Sequence, residues 1–234
     1  LAPLLAEHFT IIAPDLPGHG FSTAPANGSG YALPQVADSV RALLETLDVA
    51  PRLVVGHSAG AAIGVRMALY RSDDIDTVIG LNAALLPFPG LFGAWAGIMA
   101  SGLYYNPFTA SAFAAQASQR GAMRSLIRGT GSDLDERGLE LYQRLFSKPA
   151  HIKATLGLMA HWDLAALRRD IGLLRARLAL IVADKDRAVA PQSCDSLRGV
   201  VPNLTITRLD GLGHLAHEED PARLAQSILD IAVA

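Results

Sequence analysis

The sequence predicts a doubly wound α/β domain, with a mostly parallel sheet covered by helices and a helical cap inserted between two of its strands. Three observations carry this expectation. Short apolar runs rich in Val and Ile recur without polar alternation, which is the pattern of strands buried on both faces. Segments of helical periodicity separate these runs. One long stretch between Asn82 and Asp170 breaks the alternation and reads as helical, with no strand run of its own.

The predicted strands are Phe9–Ala13, Arg52–Gly56, Ile75–Leu81, Leu178–Ala183 and Leu204–Leu209. Helices are expected over Gln35–Leu47, Ala59–Arg71 and Pro221–Ala234, with Pro221 suited to a helix start because its missing N–H costs nothing there. Residues 1–82 and 170–234 thus form the core, and 83–169 the cap.

Composition narrows the function. The 234 residues carry 20 Lys+Arg against 22 Asp+Glu, a formal charge of −2, and half are hydrophobic. Disorder is excluded, and nucleic acid is not an expected partner, since phosphate neutralisation needs a basic excess. A single cysteine, Cys194, permits no intramolecular disulfide and fits a reducing, cytoplasmic compartment. The chain begins Leu1-Ala2-Pro3, with no basic segment before an apolar one, and reads as a fragment whose start lies upstream.

No Asp, Glu, Lys or Arg occurs from Thr77 to Gln119. The longest proline-free piece, Gly90–Asn106, has 17 residues against the roughly 20 needed to span a bilayer. The expectation is a buried helical cap, an apolar pocket wall for a greasy ligand, or a face in peripheral contact with a membrane.

The chemistry centres on Gly56-His57-Ser58-Ala59-Gly60, which follows the run Leu53-Val54-Val55 and opens a helical pattern. Acyl transfer needs a serine oxygen held clear of the backbone. A sharp strand-to-helix turn does this, with glycines at both ends permitting close approach of strand and helix. Serine needs a base to take its proton. His214, in Asp210-Gly211-Leu212-Gly213-His214, sits on the loop after the last strand, where Gly211 and Gly213 allow the bend. His217 belongs to the approach of the last helix, His57 to packing or pocket lining, and His19 to a structural hydrogen bond.

A carboxylate must orient the imidazole. The loop Ala183-Asp184-Lys185-Asp186-Arg187 offers two, of which Asp186 lies further out on the turn and is preferred, with Asp184 the alternate. The N–H of Ala59, at a helix start, would donate to the developing oxyanion, and a second donor would come from a loop after an earlier strand that precedes Leu1. No Cys/His cluster of metal spacing and no phosphate-loop string occurs, so neither metal nor cofactor is expected. A carboxylate nucleophile of the dehalogenase type would need an acid at position 58.

Taken together, the Ser58 elbow, the acid turn and the Gly213-His214 pair resemble the α/β-hydrolase superfamily over nearly the whole chain. The resemblance implies an acid at the end of a Gly-x-x-Asp turn, which favours Asp186, although Ala183 replaces the glycine. It also matches Asp15-Leu16-Pro17-Gly18-His19-Gly20 and implies that about three N-terminal strands precede the chain.

More narrowly, five strings are similar to the magnesium chelatase accessory subfamily. They are Asn82-Ala83-Ala84-Leu85-Leu86-Pro87-Phe88, Gly129-Thr130-Gly131-Ser132, Leu141-Tyr142 with Lys148-Pro149-Ala150-His151, His161-Trp162-Asp163-Leu164, and Gly211–Glu219. That subfamily is encoded with bacteriochlorophyll biosynthesis genes of phototrophic bacteria. The resemblance implies two roles. One is a serine hydrolase acting on an ester, thioester or amide of an apolar substrate. The other is a non-catalytic accessory whose cap binds a porphyrin or other tetrapyrrole, or a magnesium chelatase subunit, near a photosynthetic membrane.

Overall fold

Among the described residues the apolar runs form one parallel sheet in the order β1 (Leu53–His57), β2 (Thr77–Leu81), β3 (Arg177–Ala183), β4 (Leu204–Leu209). The computed structural model describes residues 1–70, 74–87, 99–119 and 121–233. Registers are continuous: Leu53 to His57 pair with Thr77 to Leu81, which pair in turn with Arg177 to Ile181, and Leu178 to Ala183 pair with Leu204 to Leu209.

The absence of polar alternation has a direct cause. Val78, Leu178, Leu180 and Val182 point into one core, while Ile79, Leu81, Ala179, Ile181, Ala183 and Leu209 point into a second on the other face. With both faces covered, neither can be polar. Helices α2 (Leu33–Thr46) and α3 (Ala59–Tyr70) pack on the first face. The short α1 (Ala2–Leu5) and the C-terminal helix Pro221–Ala232 cover the second through Leu5, Leu224, Ala225 and Ile228. Asp220 caps that last helix by accepting from the Arg223 N–H at 3.1 Å. The predicted helix ends at Arg71 and Ala234 lie outside the described residues.

The strand expected at Phe9–Ala13 is not formed. Residues 10–15 make no backbone-to-backbone hydrogen bond among the described residues, and a strand exists only through its ladder. The apolar character of this segment has another cause: Ile12 packs on the first core and Phe9 on the second.

Between β2 and β3 the described residues are helical. A helical stretch over residues 99–105 is followed by α4 (Thr109–Ala117), α5 (Ala122–Gly129), α6 (Glu136–Phe146), α7 (Pro149–His161) and α8 (Leu164–Asp170). Ala117, Met123, Ile127, Leu134 and Leu139 form a third apolar cluster there, joined by Leu215 from the loop after β4. The ends of this region pack into the first core instead, through Leu85, Leu164 and Leu167, and Arg66 of α3 pairs with Asp170 at 2.8 Å. No helix among the described residues is long and apolar enough to cross a membrane; residues 88–98 of the uncharged stretch lie outside them.

Leu224 is fully buried beneath the sheet. Leu224→Ala is expected to cost about 2–5 kcal/mol, read as a lowered urea midpoint at unchanged slope.

Candidate active site

The site assembles at the carboxyl ends of β1, β2 and β3 and on the loop after β4. Ser58 follows β1 at φ +51°, a left-handed conformation unusual for a serine. Three backbone bonds hold it there: its N–H donates to the Leu81 carbonyl at 2.9 Å, and its own carbonyl accepts from Ala84 at 3.1 Å and from Ala61 at 3.2 Å. Gly56 is needed for this turn, because a Cβ there would strike the backbone of Gly60 and Ala61. Gly60 is not needed in the same way. A Cβ added to it meets nothing within 4 Å, so the close approach depends on the first glycine of the pair and not on both. Ala59 is the first residue of α3, and its N–H lies outside the intrahelical ladder.

His214 lies on the loop after β4 and is 8% exposed; Asp186 lies on the turn after β3 and is 5% exposed. His214 Nδ1 and Asp186 Oδ2 are 2.8 Å apart. The other carboxylate oxygen accepts from the backbone N–H groups of Ala188 (2.8 Å) and Val189 (2.9 Å). The carboxylate thus requires Nδ1 to carry the proton and leaves Nε2 as the acceptor. Asp184 is used differently, accepting from the Gly211 N–H at 2.7 Å. Among the described residues the Ser58 hydroxyl makes no hydrogen bond to His214.

Two further imidazoles pack here. The His57 ring lies between those of His214 (centroids 4.5 Å apart) and His217 (4.4 Å), and its Nε2 is 2.8 Å from the His214 carbonyl. Burial, reinforced by the neighbouring imidazoles, lowers the His57 pKa to about 3. The same effects lower His217, on the short helix Ala216–Glu219, to about 4. Tyr142 of α6 donates to Glu218 at 2.5 Å, and its pKa is raised chiefly by burial. His19 makes the expected local bond, with Nδ1 3.1 Å from the Pro17 carbonyl.

Two contributors stand out in the sequence only as parts of the subfamily strings, not as site residues. Asn82, at the end of β2, donates through Nδ2 to the carbonyls of Gly213 (3.0 Å) and His214 (2.9 Å), and accepts through Oδ1 from Ala183 N–H (2.8 Å). Thr130–Ser132, after α5, clamps both loops: the Thr130 carbonyl accepts from Arg187 N–H (3.0 Å) and His214 N–H (3.4 Å), and Ser132 Oγ accepts from Leu215 N–H (2.8 Å). Gly213 has to be glycine, since a Cβ would run into the backbone of Gly131 and Ser132. Among the described residues no group of three or more His, Cys, Asp or Glu could hold a metal ion.

Comparison with known proteins agrees with this architecture. The family described as "alpha/beta hydrolase fold" matches residues 1–221. The chain belongs to that family. It is 37% identical to the "Magnesium-chelatase 30 kDa subunit" of Rhodobacter capsulatus over 231 residues, covering 98% of this chain and 80% of that protein. "Uncharacterized hydrolase YugF" of Bacillus subtilis is 27% identical over 97% of this chain and 82% of its own length. Among solved structures, the enol-lactonase from Burkholderia xenovorans shares 20% identity at a TM-score of 0.76, over 99% of this chain and 84% of that one. The epoxide hydrolase CorEH shares 21% at 0.78, over 97% and 83%. The last two likenesses concern the fold.

Ser132 is 2% exposed. Ser132→Ala leaves the Leu215 N–H without its acceptor, an expected loss of about 1–3 kcal/mol in chemical denaturation. Acid lability is expected as well. Folded His57 and His217 stay neutral down to about 3 and 4, whereas free imidazole takes up a proton near 6.5. The unfolded chain therefore binds more protons across that window, and stability falls as pH drops below 6.5. The denaturation midpoint measured from pH 7 to 4.5 should decline, and more shallowly in His217→Phe.

Proposed function

We propose that the protein is a serine hydrolase in which Ser58, His214 and Asp186 act as a triad on an ester, thioester or amide. The observation that carries the reading is the buried Asp186–His214 pair at 2.8 Å, at the same end of the sheet as the strained Ser58 turn. In the proposed reaction Ser58 Oγ attacks the substrate carbonyl carbon while His214 Nε2 takes the hydroxyl proton. Asp186 stabilises the imidazolium, and the Ala59 N–H at the start of α3 donates to the oxyanion. The C–O, C–S or C–N bond then breaks as His214 returns the proton to the leaving group. Water, activated by the same imidazole, releases the acid from Ser58. The uncharged stretch from Thr77 to Gln119 favours an apolar substrate.

The name of the Rhodobacter relative supports a link to magnesium chelatase, in keeping with the (bacterio)chlorophyll role that the sequence resemblance implies. It also favours a second reading, an accessory role in which the cap region binds a tetrapyrrole or a chelatase subunit without catalysis. Under that reading Ser58→Ala would still support pigment synthesis, and protoporphyrin titrated into the protein would change its absorbance spectrum.

The two readings separate on one experiment. An alkyl fluorophosphonate probe is expected to label the wild-type protein, Ser58→Ala to abolish labelling, and Asp186→Asn to slow it by roughly three to four orders of magnitude. A folded wild-type protein that takes no label overturns the hydrolase reading.

A further inference from the structure

The base loop is held by its backbone. The His214 carbonyl faces two side-chain donors from two different strand ends, Asn82 Nδ2 at 2.9 Å and His57 Nε2 at 2.8 Å. A carbonyl oxygen has two lone pairs, so this acceptor is saturated. Both donors are structurally committed. His57 precedes Ser58 on β1, and its ring is wedged between His214 and His217. Asn82 is 3% exposed, sits in the left-handed region at φ +45°, and is pinned by its own N–H to the Ile181 carbonyl at 2.9 Å.

From this convergence we infer that Asn82 and His57 are positioning residues for the catalytic base, setting the height of His214 between the nucleophile's strand and the acid's turn. The inference rests on the triad reading and deepens it. Asn82 spans three parts of the site: the Gly213 and His214 carbonyls on the base loop, and the N–H of Ala183, three residues before Asp186. One carboxamide therefore fixes the distance between the loop that carries the imidazole and the strand that delivers its carboxylate.

The role demands an amide. It needs two donors toward the carbonyls and one acceptor toward Ala183, which neither an acid nor an aliphatic side chain of that size supplies. His57 must carry its proton on Nε2 to donate, and neutral imidazole suffices for that. Its tautomer, rather than its charge, is what the site uses. Neither residue touches the reacting atoms in this reading; each acts through the placement of His214.

Asn82→Asp tests this directly, since it keeps size and the acceptor for Ala183 but turns both donors into acceptors facing carbonyls. His57→Phe keeps the wedged ring and removes the donor. The experiment is fluorophosphonate labelling of the full chain at increasing probe concentration, well below each variant's melting temperature and with near-UV dichroism confirming the fold. It separates the maximal labelling rate from the half-saturating probe concentration. Expected is a maximal rate lowered roughly 10- to 100-fold at unchanged half-saturation, because small displacements of a catalytic group slow chemistry without weakening binding. Leu224→Ala, a destabilised control that takes no part in the hydrogen bonds around His214, should keep the wild-type maximal rate. If Asn82→Asp does not fold, His57→Phe decides. Labelled wild-type protein with unchanged maximal rates in the folded variants overturns the inference alone; unlabelled wild-type protein overturns the hydrolase reading and the inference with it.

Discussion

Burial of the Asp186 carboxylate is the constraint around which the site is organised. Its side chain is 1% exposed, and an ionised carboxylate removed from water is tolerated only with its lone pairs engaged. Two donors come from the turn itself, at Ala188 and Val189, and the third is His214. The turn must therefore be tight, and the loop after β4 must reach back across β3 to deliver an imidazole. The Gly213 close approach, the Thr130 carbonyl and the Asn82 carboxamide all serve that crossing.

The helical region between β2 and β3 is accordingly more than a cover. Its segment Thr130–Ser132 accepts hydrogen bonds from both the turn after β3 and the loop after β4, and Leu215, next to His214, packs into its apolar cluster. The two ends of the region are anchored differently, in the core of the sheet through Leu85, Leu164 and Leu167. The region is thus fastened at three places, one of them adjacent to the imidazole.

Much of this was legible in the sequence because two-sided burial leaves a plain mark. The runs at 52–56, 75–81, 178–183 and 204–209 each became a strand within two residues of the expected ends. The run at 9–13 carries the same mark but packs without pairing, and hydrophobicity alone cannot distinguish the two. The turn after β3 offered two carboxylates, and the structure sends Asp186 to His214 and Asp184 to Gly211. Asn82 opened one of the subfamily strings but gave no sign of a site role, since a lone asparagine after an apolar run reads as an ordinary turn former. Its partners lie a hundred or more residues away, and no local pattern announces such a bond. The asymmetry between Gly56 and Gly60 was equally hidden, because the motif lists both while only one faces backbone.

The registers of the sheet bear on how the chain reaches this state. β1 with β2, and β3 with β4, join segments close in sequence, whereas Leu81 meets Ile181 across the whole helical insertion. Closing a loop of that length carries an entropy penalty before any contact repays it, rising by about 0.6 kcal/mol for each doubling of length. The β2–β3 pairing is therefore the costliest closure in the sheet, and both cores are completed only across it. Because Asp186 and His214 follow strands on one side of that pairing and Ser58 follows a strand on the other, the three residues are brought to one end of the sheet only through it.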